Sequence, residues 1–270
     1  MSFYLAKTGK NNWQGKFSSF PAEIAVHGIS TRWGGKSSAP FASMNLALHV
    51  GDVAETVWQN RQLFCEALGL SAEAVCTPEQ VHGERIQRVT RADAGRGSRE
   101  YGDAIGATDA LITNEPGLPL LLCFADCTPI LLLDPVHRAA GIAHGGWKGT
   151  VRRIAAKTLQ AMGREFGTRP EEALAGIGPS IGPCCYEVGM EVVRQFQEAF
   201  PGCPELLQER EGGIHLDLWR ANAYQLEQAG MQPGHIDRAD TCTACSSEMF
   251  FSYRADHGCT GRIGAMIALR

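Results

Sequence analysis

The chain lacks the features that tie a protein to a membrane or to nucleic acid. Charged residues and glycines interrupt every apolar stretch before the roughly 18 residues a bilayer span requires. Residues Met1 to Asn12 carry no apolar signal core and no small-residue cleavage site. A formal net charge of −4 leaves no surplus of Lys and Arg to neutralise phosphates along a nucleic acid. No internal repeat, low-complexity tract, long charge block or linker composition divides the sequence. These absences predict a cytoplasmic protein with no membrane or nucleic-acid partner and no evident obligate protein partner. One domain is expected over residues 1–270, with 1–21 a peripheral N-terminal segment.

Cysteine is not scarce: there are 10. The chain is too long to be a disulfide-dependent mini-domain, and adjacent Cys184 and Cys185 suit a bridge poorly. Without an export signal, reduced thiols are expected. The 44% hydrophobic content is enough to build a sizeable core.

Periodicity orders that content. Residues 22–31 alternate as a strand, and 54–68 carry a helical pattern closed by Gly69. Residues 74–87 look β-rich around His82, whereas 91–107 are polar and aperiodic and predict an exposed loop. A strand over 109–113 precedes two apolar runs flanking Asp134-Pro135-Val136-His137, which has turn chemistry. A helix is expected from about Thr150, with Ala155, Leu159, Met162 and Phe166 on its apolar stripe. Further helices are expected near 190–199 and 217–229, the latter capped by Asp217. Strands and helices without regular βαβ alternation predict an α+β fold.

The chemistry is concentrated at the hairpin. If residues 134–137 form its loop, Leu133 faces Arg138 and Cys127 faces His144, with Cβ atoms about 4.5–5.5 Å apart. Such a pair suits two ligands of one metal, or a nucleophile and its base. His82, in Gln80-Val-His-Gly83, completes a three-ligand set that leaves a fourth position for water or substrate, as catalytic zinc sites do. Copper also takes His₂Cys ligation. A multicopper oxidase would in addition need closely spaced histidine pairs, and none of the 8 histidines stands in a His-x-His pair. Buried packing of an ordinary thiol and histidine is the bland alternative.

Other residues carry weaker signals. Cys242-x-x-Cys245, with Cys184, Cys185 and Cys259, can make a structural zinc site or can simply be packed. The glycines before the helix at Thr150 leave backbone N–H groups suited to an anion. Arg32 beside Gly34-Gly35 is the leading oxyanion candidate, followed by Lys148, Arg254 and Arg262. Strand alternation would point Asp126 away from Cys127. His137 reads as a loop residue, and His27, His49, His215, His235 and His257 receive no role.

The ordered motifs resemble one family over nearly everything after residue 24. They include His27-Gly-Ile-Ser-Thr-Arg-Trp-Gly-Gly35, Ser43-Met-Asn-Leu-Ala-Leu-His-Val-Gly-Asp52, Thr108-Asp-Ala-Leu-Ile-Thr113 and Ala125-Asp-Cys-Thr-Pro-Ile130. They continue through His144-Gly-Gly-Trp-Lys-Gly149, Gly178-Pro-Ser-Ile-Gly-Pro-Cys-Cys-Tyr-Glu-Val188, His215-Leu-Asp-Leu-Trp219 and Phe250-Phe-Ser-Tyr-Arg254. The chain resembles the YfiH-type, laccase-domain-containing proteins, once called polyphenol oxidases and associated with purine nucleoside phosphorylase activity. The resemblance implies a layered α+β fold related to cysteine hydrolases, and zinc held by His82, Cys127 and His144. It implies phosphorolysis of adenosine, inosine, guanosine and 5′-methylthioadenosine, with deamination of adenosine. Purine nucleosides and phosphate are then the partners, with Arg32, Asn45 and Lys148 as candidates to bind them. Gly145 and Lys148 stand where the family often has Ala and Arg, so Lys148 lacks the guanidinium fork. Glu79 and Glu187 are the carboxylates considered for a proton shuttle.

Overall fold

Apolar runs buried on both faces give the molecule its layers. The computed structural model describes residues 3–8 and 12–270. In chain order the first strands are β1 (Phe3–Lys7), β2 (Trp13–Phe17), β3 (Ala25–Ser30), β4 (Ile86–Arg88) and β5 (Ala110–Thr113). They continue as β6 (Leu120–Phe124), β7 (Thr128–Asp134), β8 (Ala139–Gly145), β9 (Leu174–Ile177) and β10 (Glu187–Val188). The last are β11 (Leu207–Arg210), β12 (Gly213–Leu216), β13 (Ile236–Arg238) and β14 (Ile263–Leu269). The helices are α1 (Ala54–Glu66), α2 (Trp147–Val151), α3 (Ile154–Phe166), α4 (Met190–Ala199) and α5 (Leu218–Gln228).

Two sheets pack face to face. One runs β1-β2-β3-β14-β6 and the other β13-β9-β7-β8-β5-β4, beside a small β10-β12-β11 sheet. Side chains alternate along each strand. Leu120, Leu122 and Phe124 thus join Leu131, Leu133 and Ile142 in the core between the sheets. The intervening Leu121 and Cys123 pack with Phe64 of α1 on the outer face of the first sheet. Ile130 and Leu132 turn the other way, onto Leu159 and Met162 of α3 and Leu226 of α5. The order is helix, sheet, sheet, helix: the layered α+β domain expected from the sequence.

Several boundaries differ from the sequence reading for physical reasons. The segment 1–21 contributes the outer two strands of the first sheet, and Phe17 enters the central core; Met1, Ser2, Gly9, Lys10 and Asn11 of that segment lie outside the described residues. The hairpin turns one residue later than expected, because Asp134 stays in the strand and accepts the N–H groups of Val136 and His137 at 2.9 Å. Leu133 therefore pairs with Ala140 and His144 with Pro129. The helix expected at Thr150 begins at Trp147 and breaks at Arg153, whose backbone is left-handed (φ 62°). Arg61 is buried and donates to the carbonyls of Gly97 and Ser98 at 2.6 and 2.8 Å, drawing part of the expected exposed loop inside. Asp217 caps α5, accepting from the Arg220 N–H at 2.9 Å.

Candidate metal centre and pocket

The β5–β8 ladder sets the site. Ala110 pairs with Ala143, so Asp109 stands opposite His144, and the His144 N–H donates to the Asp109 carbonyl at 2.8 Å. Opposed side chains meet, and His144 Nδ1 donates to Asp109 Oδ1 at 2.8 Å. That bond fixes the ring and leaves Nε2 as the free ligand atom. A fully buried carboxylate needs compensation of several kcal/mol. Three successive amides help supply it, with Val81, His82 and Gly83 donating to Asp109 at 3.2, 3.0 and 2.7 Å. Wrapping a side chain in this way removes those amides from any ladder. Residues 74–87 are therefore mostly irregular rather than β-rich, and His82 takes a left-handed backbone (φ 57°).

Cys127 lies in the bend between β6 and β7, just before the ladder begins at Thr128. It reaches His144 from there rather than as its directly paired residue. One ligand atom from each of His82, Cys127 and His144 lies within 4.8 Å of the others, with Cys127 Sγ 3.8 Å from His82 Nε2. Gly146 leaves room for this convergence. A Cβ there would come within 3.0 Å of the Cys127 sulfur and 3.1 Å of His82 Cδ2.

Charge organises the trio. Burial pushes the Cys127 thiol up, but His144 and His82 outweigh it and bring the value to about 6. Burial pushes His144 down, while Cys127 and Asp109 raise it to about 9. The side chains thus favour a thiolate beside an imidazolium whenever no metal replaces the proton. Two imidazoles, a thiolate and an outer carboxylate match the donor set of a mononuclear metal centre. These residues fit a metal ion.

The trio lines a cavity of about 620 Å³, within the range of small-molecule sites. Its other walls include His49, Gln80, Asp126, Tyr186, Tyr253, Arg254 and Arg262. Arg262 Nη1 donates to the carbonyls of Thr260 and Gly261 at 2.7 and 2.9 Å, and Arg254 reaches the carbonyls of Cys185 and Glu187 at 3.4 Å. Asp126 faces the cavity because its backbone is left-handed (φ 80°), which breaks the expected alternation. Its carboxylate accepts from Thr243 Oγ1 and the Arg254 N–H, both at 2.7 Å. Gln80 bonds both ways to the Cys123 backbone of β6, at 2.8 and 2.9 Å. Burial and the charges of Arg262 and Arg61 lower His49 to about 4.

Three sequence candidates lie elsewhere. Arg32 donates to the carbonyls of Ser247 and Ala42, covers the Phe251 ring at 4.6 Å and is not among the residues lining the cavity. Asn45 is buried and accepts the Arg262 N–H at 2.9 Å, holding that arginine's backbone rather than lining the cavity. Lys148 is exposed, with its ammonium 5.6 Å from the Trp147 ring centre, and is not among the lining residues. Glu79 and Glu187 do not line the cavity either; Glu79 accepts the Ala107 N–H at 3.1 Å. Asp109, Asp126 and His49 are the site residues that periodicity missed. The lone acid opening the apolar run Asp109-Ala-Leu-Ile was the available signal for the first.

A family model described as multi-copper polyphenol oxidoreductase laccase matches residues 26–270. The chain belongs to this laccase-domain family. Purine nucleoside phosphorylase YlmD of Geobacillus stearothermophilus is 42% identical over 254 residues, covering 93% of this chain and 92% of the relative. A purine nucleoside phosphorylase of Deinococcus radiodurans is 40% identical over 250 residues, covering 92% and 91%. The crystal structure of the Geobacillus YlmD superposes with a TM-score of 0.93 at 39% identity, covering 98% of each chain. The laccase-domain fold and the layered architecture thus coincide. Among the described residues of this family member, no helix is long and apolar enough to cross a membrane.

Proposed function

We propose that this protein is a zinc-dependent purine nucleoside phosphorylase acting at the His82–Cys127–His144 wall of the cavity. The observation that carries the reading is one cavity presenting three metal-type ligands, two arginines and two tyrosines together. The names of the full-length relatives supply the substrate class. Adenosine, inosine, guanosine and 5′-methylthioadenosine share the purine and ribose that such a cavity would take.

Phosphorolysis forms a bond from a phosphate oxygen to ribose C1′ as the bond to the purine nitrogen breaks, and the purine leaves with the electron pair. The transition state needs the anion held in line and the departing base supported. Arg254 and Arg262 supply the cationic wall for phosphate, and Tyr186 and Tyr253 supply aromatic faces for the base. Asp126 is the carboxylate of the lining, held by Thr243 Oγ1 and the Arg254 N–H, and would move a proton at the purine. The same carboxylate would carry the proton in deamination of adenosine, the second activity proposed for the cavity. His82, Cys127 and His144 would hold zinc, which when bound supplies Lewis-acid charge stabilisation. His₂Cys also suits copper, but a multicopper centre would need the histidine pairs that this sequence lacks.

One observation favours a second reading. Cys127, His144 and Asp109 stand in the order of nucleophile, base and orienting carboxylate, which is the arrangement of a thiol hydrolase. The test is phosphate-dependent release of hypoxanthine from inosine by wild type, Cys127→Ala and His82→Ala. Phosphorolysis by wild type, lost in both variants, is expected. A His82→Ala protein that still releases hypoxanthine without phosphate, while Cys127→Ala does not, would favour the thiol hydrolase. A folded wild type without turnover on any purine nucleoside would overturn the proposal.

A further inference from the structure

Four of the cysteines outside the cavity gather in one place. β9 and β13 pair in parallel, so the loops that follow them leave the sheet at the same end. Ser180 and Cys242 bridge those loops, with the Thr243 N–H donating to the Ser180 carbonyl at 3.0 Å. This brings Cys184 and Cys185 to Cys242 and Cys245, with all four sulfurs within 4.8 Å of one another. Cys259, the fifth cysteine expected there, is not in the group.

The geometry points to a tetrathiolate site for a single zinc-class metal ion, held by Cys184, Cys185, Cys242 and Cys245. Cys245 Sγ lies 3.4 Å from both Cys184 and Cys185. A disulfide needs about 2.05 Å and can take only one partner. Tetrahedral ligands at about 2.3 Å from a zinc stand roughly 3.8 Å apart, close to what is seen. A four-iron cluster would instead spread its thiolates over separate irons. The Gly182 N–H donates to the Cys242 sulfur at 3.3 Å, as an outer hydrogen bond to a metal thiolate would. Binding would release the protons of those cysteines that are still thiols, with no change of oxidation state.

The site would brace the cavity. Tyr186 follows Cys185, Thr243 lies between the other two ligands and holds Asp126, and Arg254 reaches the Cys185 carbonyl. The inference stands independently of the reaction proposed above. Its test uses the full chain carrying His82→Ala and Cys127→Ser, which removes the first site and leaves these four thiols. Cobalt(II) titration of this reduced, folded protein is expected to give thiolate-to-cobalt charge transfer saturating at one ion per chain. X-ray absorption of its zinc form is expected to show four sulfur neighbours. Absence of bound metal, a shell dominated by nitrogen or oxygen, or a disulfide among these cysteines in protein kept under reductant would overturn it.

Discussion

The His82–Cys127–His144 trio and the Cys184–Cys185–Cys242–Cys245 cluster gather similar ligand atoms by different means. The trio hangs on a strand ladder: β5 and β8 oppose Asp109 to His144, and the buried carboxylate fixes the ring. The cluster hangs on two loops that share only the end of a parallel strand pair. One set mixes imidazole with thiol and faces a cavity; the other is all sulfur and partly exposed. Three ligands beside a cavity suit catalysis, whereas four thiolates close a coordination sphere and suit structure. Precision of orientation belongs to the first site, and cross-linking belongs to the second.

The contrast can be broken most sharply at Gly146. A methyl group there meets the Cys127 sulfur at 3.0 Å, and its three nearest neighbours are all ligands of the trio. Gly146→Ala is expected to abolish metal binding at the trio and to lower kcat/KM by more than the roughly 10–100-fold typical of an outer-shell change. Metal at the four cysteines should persist, as read by mass spectrometry of the intact protein. Loss from both sites would show that they are not independent.

Asp109→Asn tests the outer carboxylate, which orients His144 and receives the amides of residues 81–83. Loss of about 10–100-fold in metal affinity at the trio is expected, measured by competition with a chelator, with no change at the cluster. Arg254→Ala and Arg262→Ala act on the anion instead. Each removes charge-assisted hydrogen bonds of about 1.5–3 kcal/mol, so KM for phosphate should rise on the order of tenfold or more, with metal content unchanged.

The smallest effect separates loss of fold from loss of metal in acid. Burial, then the charge of Lys16, holds His27 down at about 3, and its neutral ring accepts the Phe17 N–H at 2.8 Å. The folded value lies below the unfolded one, about 6.5, so this contribution is intact above pH 6.5 and is lost as pH falls toward 3. His27→Gln should flatten denaturant stability against pH across that window, while the ratio of metal at the two sites stays as in wild type.

Periodicity made much of the fold legible, because strands and helices carry their burial in a repeat. Leu120 to Phe124, the stripe from Ala155 to Phe166 and the Asp217 cap could all be read directly. The trio's residue types were legible too, though the hairpin register was displaced by the Asp134 side chain, which captures the turn's amides. What escaped depends on backbone conformations that no repeat announces. The left-handed Asp126 turns its carboxylate into the cavity, and the left-handed Arg153 breaks a helix. Arg32 and Lys148 looked suited to an anion by local sequence alone. Neither lines the cavity, because local sequence does not say which loops the fold brings to it.

The central claim is that the trio holds the metal on which phosphorolysis depends. The most direct measurement is inosine turnover with phosphate by wild-type protein stripped of metal and then given zinc one equivalent at a time, with trio occupancy followed by protection of Cys127 from alkylation. Activity should vanish on stripping and return in proportion to that protection. Full phosphorolysis by metal-free protein with an alkylatable Cys127 would contradict the account.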